Sequence, residues 1–218
     1  MKRQFLTAAC LTSMVLSMAG QEVQAAPAPT YYAHPELCVR AVADRFWFLS
    51  GNDMASIGLS CSANWDAACV KGILDRYMFI SLPEGLAAAE ACANNYSGQC
   101  VNNILDRFSW YTKSDALDIG YACAGNYNDE CLGSLLRRFP SYTMHDAEIF
   151  AQNCRYNVGR ECVDEVLNHF ASYTMDEADM VAYACQGNVD TLCIRRSLDY
   201  QPYYTIGYAA DVAHACSY

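Results

Sequence analysis

Twelve of the thirteen cysteines in this 218-residue chain follow one strict spacing, which constrains the fold more than any other feature. One set recurs every 31 residues, and a second set follows it 23 residues later in each unit. The first set is Cys38, Cys69, Cys100, Cys131, Cys162 and Cys193, and the second is Cys61, Cys92, Cys123, Cys154, Cys185 and Cys216. A fixed period of this size is typical of solenoids and repeat arrays.

Each unit carries the pattern of two helices. Apolar residues stand one, four, five and eight residues after the first cysteine, as in Val101, Ile104, Leu105 and Phe108, and this spacing lines one face of a helix. A hydroxyl follows twelve residues after that cysteine in every unit, and an acid three residues later in five of the six. These hydroxyls are Ser50, Ser81, Thr112, Thr143, Thr174 and Thr205. An N-cap with an acid at N3 predicts the start of a second helix.

The second helix carries small residues on one face and an asparagine just beyond its end. The small residues, such as Ala116 and Gly120, predict close approach of neighbouring helices. The asparagines are expected to take the left-handed conformation that ends helices. They are Asn64, Asn95, Asn126, Asn157 and Asn188. We therefore predict an all-α solenoid of six antiparallel helical hairpins.

The N-terminus has the features of a cleaved signal peptide. Lys2 and Arg3 precede an apolar run over residues 5–19, and small residues lead to a cleavage site after Ala25 or Ala26. No later segment supplies the roughly 20 apolar residues of a spanning helix, so we expect no transmembrane segment. The sequence predicts an exported, periplasmic or secreted protein with a bacterial type of signal.

The predicted organisation has three parts. Residues 1–26 are the signal peptide, 27–37 an extended leader rich in proline and alanine, and 38–218 one α-solenoid domain. Its repeats are predicted at 38–68, 69–99, 100–130, 131–161, 162–192 and 193–218. Units of 31 residues bury too little surface to fold alone, so we expect them to stack.

The cysteines are expected to form disulfides, and two pairings fit the spacing. An antiparallel hairpin brings the start of its first helix beside the end of its second, which favours one bond within each unit. These bonds are Cys38–Cys61, Cys69–Cys92, Cys100–Cys123, Cys131–Cys154, Cys162–Cys185 and Cys193–Cys216. The alternative closes the short links, as in Cys61–Cys69, and leaves Cys38 and Cys216 unpaired. The close C-x2-C spacing of zinc sites is absent, so we expect no metal and no cofactor.

With seven residues between the cysteines of successive hairpins, such as Cys61 and Cys69, the chain resembles the Sel1-like cysteine-rich repeat proteins, relatives of the tetratricopeptide repeats. The resemblance is one of architecture and covers residues 38–216. It implies a secreted helical-hairpin solenoid with a protein-binding role.

Two sets of residues at the bend between the helices are candidates for binding. Arg45, Arg76, Arg107 and Arg138 stand seven residues after the first cysteine. They form a basic stripe that could hold a carboxylate-bearing peptide or an acidic glycan. The simpler interpretation, which we favour, pairs each arginine with the N3 acid of its own hairpin.

Aromatic residues crowd the same bend. The residue just before each N-cap, such as Tyr111, Tyr142 or Tyr173, is predicted to fold onto the hairpin as a hydrophobic staple. Trp47, Trp110 and Tyr203 stand one or two places earlier and are the better candidates for contact with a partner. Twenty-one residues after the first cysteine the residue type varies, with Tyr121 and Tyr183 as candidates, although drift on a solvated face explains that variation equally well.

The sequence favours a binding scaffold for a protein or peptide partner. A structural protein that self-associates through its solenoid ends is the alternative, and an enzyme acting on cell walls is the least favoured, because no catalytic motif is present. The net charge of −10 argues against nucleic acid as a partner. Because no catalytic motif is present, we predict that the protein is not an enzyme.

Overall fold

The computed structural model describes residues 33–187, 189–200 and 203–217, and within these ranges the chain forms twelve α-helices and no extended strand. The odd-numbered helices are the first of each hairpin and are called helix A. They are α1 (Pro35–Ala43), α3 (Ala68–Leu74), α5 (Gln99–Leu105), α7 (Glu130–Arg138), α9 (Glu161–Leu167) and α11 (Thr191–Asp199). The even-numbered helices are called helix B. They are α2 (Gly51–Ser60), α4 (Leu82–Ala91), α6 (Lys113–Ala122), α8 (Met144–Asn153), α10 (Met175–Ala184) and α12 (Ile206–Ala215).

The predicted all-α solenoid is confirmed, and the helices form two layers. Helices B pack on one another in chain order. Each helix A lies against the helix B of its own repeat and, in most repeats, also against the helix B of the next repeat. Buried aliphatic residues such as Ile104 and Leu135 fill the space between the layers, and small residues line the contacts within the helix B layer. A Cβ added to Gly120 would lie 3.0 Å from the Cβ of Ala91, so this close contact favours a residue without a side chain.

Each hairpin is closed by one disulfide between the start of helix A and the end of helix B. The structure links Cys38 to Cys61, and the five equivalent pairs follow with Cα–Cα distances of 5.6–5.8 Å. All twelve of these cysteines are disulfide-bonded, so no link of the Cys61–Cys69 type is present. The bonds lie within repeats, and contacts between repeats depend on packing and hydrogen bonds.

Helix B begins at the predicted hydroxyl in all six repeats. Thr112 is typical: its hydroxyl accepts from the Asp115 N–H at 3.2 Å, and its own N–H donates to the Asp115 carboxylate at 2.7 Å. The reciprocal pair satisfies two backbone donors that the helix leaves unpaired. The last repeat has Tyr208 at N3 and keeps only the hydroxyl bond, at 3.3 Å.

The asparagine prediction is wrong in its mechanism. The left-handed residues stand one place earlier, at Asn94, Gly125, Tyr156 and Gly187. The asparagines at 64, 95, 126 and 157 are buried, and each donates its side-chain N–H to a carbonyl near the end of helix B in the next repeat. Asn126 does so to Ala151 at 2.9 Å. Each asparagine therefore caps its neighbour, and Asn188 lies outside the described residues.

The left-handed residues form a backbone ladder along the solenoid. The N–H of Gly125 donates to the carbonyl of Asn94 at 2.8 Å, and the N–H of Tyr156 donates to Gly125 at 2.9 Å. The same bond joins Asn94 to Ala63 and Gly187 to Tyr156. This ladder and the asparagine caps fix the spacing of the repeats.

The predicted signal peptide lies outside the described residues, as does most of the predicted leader at 27–37. The end of that leader is helical, because α1 begins at Pro35. Proline is favoured in the first turn of a helix, where its missing N–H is not needed. Helix A has seven to nine residues in the six repeats.

Candidate binding edge

The loops that join helix A to helix B form one edge of the solenoid, called here the turn edge. In the first three repeats these loops carry large apolar side chains that are almost fully exposed. The exposed fractions are 95% for Trp47, 96% for Phe48, 92% for Met78, 82% for Phe79 and 86% for Trp110. Because successive repeats stack in register, these five side chains, called here the hydrophobic row, follow one another along the edge.

The residue just before each N-cap packs inward, as the staple prediction requires. Tyr111, Tyr142 and Tyr173 are partly buried against the core. The ring of Tyr142 meets the edge of Phe108 in the preceding repeat, with 5.7 Å between centroids. The inward staple leaves the preceding loop residue directed to solvent. Tyr203 in the last repeat is exposed as well, at 92%.

A groove of about 560 Å³ crosses the hydrophobic row between the first and third repeats, and Met78 and Phe79 line it. Lys113 at its side donates to the carbonyl of Phe79 at 2.9 Å and to the carboxylate of Glu84 at 2.8 Å. The hydrogen bond from Lys113 and those from Ser81 hold the pKa of Glu84 at about 2. These contacts fix the Phe79 loop, so the groove is a preformed feature.

The arginines pair differently from the prediction. The N3 acids are engaged in capping boxes, and the arginines pair with side chains of the next repeat instead. Arg45 binds Asp75, and Arg76 binds Asp106 in the same way. Arg138 binds Asp164 at 2.8 Å and also donates to Asn168 and Tyr173 of the next repeat. Three of the four candidate arginines are therefore occupied by contacts between repeats.

Arg107, the remaining candidate arginine, lies where this pattern breaks. Asp75 and Asp106 stand six residues after the first cysteine of their repeats, and the equivalent residue of the fourth repeat is Arg137. Within the described part of the chain, the side chain of Arg107 donates only to Asn103 in α5 of its own repeat, at 3.0 Å. Arg107 and Arg137 line one groove of about 460 Å³ with Phe108, Pro140 and Tyr142. Arg137 was missed in the sequence because it falls outside the arginine period.

Tyr121 and Tyr183 are exposed, at 49% and 61%, but they lie away from the turn edge. Each is the ninth residue of a ten-residue helix B, which places it about 15 Å from the loop that precedes the helix. The two tyrosines are also separated by an intervening repeat. The structure therefore does not bring them together with Trp47, Trp110 or Tyr203.

The opposite edge, formed by the links between hairpins, carries an aromatic stack that the sequence analysis missed. Trp65 lies 4.8 Å from Tyr96, and Tyr96 lies 4.6 Å from Tyr127, measured between ring centroids. The signal for it was an aromatic residue at one repeat position in three successive units, followed by Val158 and Val189. This stack is partly buried and joins neighbouring repeats.

One carboxyl group in the helix B layer has unusual surroundings. Burial raises the pKa of Asp179 to about 6, against a hydrogen bond from Asn153 that lowers it, and its Oδ1 has no hydrogen-bond partner among the described residues. Asp176 and Asp146 add to the upward shift by charge repulsion. No group of three or more histidine, cysteine or carboxylate side chains in the described part of the chain is placed to hold a metal ion.

The six disulfides indicate an oxidising environment, such as the periplasm or the extracellular space. None of the helices in the described ranges combines the length and the apolar character needed to cross a bilayer. Comparisons with protein-family models, with curated proteins and with solved structures find no match. By its own structure, the chain is a cysteine-rich, disulfide-linked helical-repeat protein.

Proposed function

We propose that this protein is an exported, non-catalytic scaffold that binds an extended, apolar segment of a partner protein along its turn edge. The observation that carries the proposal is the hydrophobic row, whose five members are each more than four-fifths exposed. Large exposed apolar side chains concentrated along one edge are typical of interaction sites in soluble proteins. Tryptophan, phenylalanine and methionine are also enriched where proteins contact one another.

The energetics favour a partner over a role in folding. A large apolar side chain gains roughly 1.5–3 kcal/mol when it is fully removed from water, and the row gains almost none of this in the free protein. An extended segment laid across the row would bury several of these side chains together. That gain is large enough to offset part of the entropy lost on association.

Export is part of the proposal. The basic, apolar and small-residue succession in the first 26 residues favours a cleaved signal peptide, and disulfides form in the compartments to which such signals lead. We place the mature protein in the periplasm or outside a bacterial cell. The architectural likeness to Sel1-like repeat proteins agrees with a protein-binding role.

The test uses the oxidised protein beginning at Ala26 or Pro27, with peptides selected from a displayed random library as probes. We expect selected peptides to be rich in apolar residues. The triple variant Trp47→Ser, Phe79→Ser, Trp110→Ser should bind them at least tenfold more weakly. A control variant, Tyr121→Ser with Tyr183→Ser, removes exposed aromatic rings away from the turn edge and should bind normally. Equal binding by the triple variant would contradict the proposal.

Sedimentation of the same proteins tests the alternative of self-assembly. A scaffold for another protein should stay monomeric as its concentration rises. Growth in size that the triple variant abolishes would show that the row binds a second copy of this chain. Growth that persists in the triple variant would favour stacking through the solenoid ends.

A further inference from the structure

The turn edge changes character between the third and fourth repeats. At the first two junctions, an arginine just after helix A is neutralised by an aspartate of the next repeat, as in Arg76 and Asp106. At the third junction the aspartate is replaced by Arg137, and Arg107 loses its acidic partner. The series of arginine–aspartate pairs is thereby interrupted, and two cations line the same groove.

Neither cation is neutralised within the described part of the chain. No ion pair to Arg107 or Arg137 occurs there, and both residues are exposed. Two like charges on one groove repel each other and add nothing to stability. The protein as a whole is acidic, with a net charge of −10, so the pair is a local exception to its surroundings.

The groove between the two arginines suits a small anion attached to an apolar chain. Its walls are Phe108, Tyr142, Leu136 and Pro140, which lower the local polarity and strengthen charge interactions. Guanidinium groups bind carboxylates through two parallel hydrogen bonds. Trp110, the last member of the hydrophobic row, follows Arg107 by three residues.

We propose that Arg107 and Arg137 form a carboxylate-binding site that receives an acidic side chain or the terminal carboxylate of the partner. This proposal rests on the proposed function and assigns the bound partner a direction along the turn edge. The partner's apolar segment lies over the first three repeats, and its acidic group lies at the junction with the fourth. A polypeptide fits better than a polyanion, because the acidic body repels extended negative charge.

The first measurement is nuclear magnetic resonance of the arginine side-chain Nε–H groups during titration with N-acetylaspartate. We expect saturable shifts at Arg107 and Arg137, and no such shifts at the ion-paired Arg45 and Arg76. Absence of saturable shifts at Arg107 and Arg137 would overturn the site. The variant Arg137→Asp restores the acid found at this position in the second and third repeats. It should keep the fold and abolish the shifts at Arg107.

The second measurement compares two synthetic peptides, each with three aromatic residues followed by either two aspartates or two asparagines. The intact protein should bind the acidic peptide about tenfold more tightly, and Arg137→Asp should remove this preference. Trp110→Ser should weaken both peptides and leave the preference intact, so failure of the hydrophobic row is distinguished from failure of the arginine site. A trimer of galacturonic acid is the third probe, and tighter binding of it than of the acidic peptide would overturn the assignment to a polypeptide.

Discussion

The turn edge of the first three repeats differs sharply from that of the fourth and fifth. All five repeats share the N-cap, the acid at N3 and the inward staple. The two loop positions before the staple carry Trp47-Phe48 in the first repeat, but Pro140-Ser141 in the fourth and Ala171-Ser172 in the fifth. The hairpin is therefore built equally well with small residues there, and the large residues of the first repeats are not required for folding.

The first three repeats, called here the N-terminal half, differ from the later repeats, called the C-terminal half, at the opposite edge as well. Trp65, Tyr96 and Tyr127 stack across the first three links, whereas Val158 stands at this position in the fourth. This stack is partly buried and the hydrophobic row is not, so the two aromatic series have different roles. One joins repeats, and the other remains available to a partner.

The largest effect should come from the disulfides, and it should be equal in both halves. The double variants Cys69→Ala, Cys92→Ala and Cys162→Ala, Cys185→Ala each open a loop of the same length. Each should lower the free energy of unfolding by about 3 kcal/mol, since the unfolded chain regains the freedom that the bond removes. Urea unfolding monitored by circular dichroism measures both. A large loss in one half alone would show that the disulfides do not contribute equally to stability in the two halves.

The asparagine caps should rank next, with different effects in different repeats. Asn126→Ala removes bonds of 2.9 and 3.2 Å to Ala151 and Cys123, and it should cost about 1–3 kcal/mol. Asn95 makes one long bond of 3.4 Å, and its Oδ1 has no partner among the described residues. Asn95→Ala should therefore cost less. Urea unfolding of the two variants decides the order, and a larger loss for Asn95→Ala would reverse our account.

The helix B framework was predictable from the sequence, whereas its coupling between repeats was not. Hydroxyls such as Thr112 act on their own N3 residue, so one repeat contains all the information. Asn126 was interpreted locally in the same way, but its partner belongs to the next repeat. Sequence spacing does not show which carbonyl of a neighbouring helix lies within reach, and this is why the cap was misassigned.

The candidate site was predictable only in part, for a similar reason. Exposure of Trp47 and Trp110 follows from their position before a staple, which is a local property. The pairing of Arg45 with Asp75, and the loss of such pairing at Arg107, depends on the register between repeats. The groove with Arg137 exists only where two repeats meet, so no single unit predicts it.

A smaller effect is expected at Asp179, where the C-terminal half carries an acid and the second and third repeats carry Leu86 and Leu117. Its pKa of about 6 exceeds the usual value near 3.9, so the unfolded state ionises first as the pH rises. Stability is lost between about pH 4 and pH 6, and Asp179→Asn should recover it.

Because the side chain is partly exposed, we expect Asp179→Asn to gain about 1–2 kcal/mol at pH 7 and little at pH 4. Urea unfolding at the two pH values measures the difference. Asp118→Asn, an exposed acid on α6, is the matched control and should show no such dependence. An equal gain at both pH values would mean that ionisation of Asp179 is not the cause.

The smallest effect on stability should come from replacing residues of the hydrophobic row, which distinguish the two halves. Because Trp47, Phe48 and Trp110 are almost fully exposed, replacing all three with serine should change the free energy of unfolding by no more than about 0.5 kcal/mol per residue. The same variant should bind much less of the fluorescent dye anilinonaphthalene sulfonate, which reports exposed apolar surface. The reciprocal variant Ser141→Trp, Ser172→Trp extends the row into the fourth and fifth repeats and should increase dye binding at unchanged stability. If removal of the row instead destabilised the protein by several kcal/mol, the large side chains would be part of the fold, and the turn edges of the two halves would differ in packing and not in their availability to a partner.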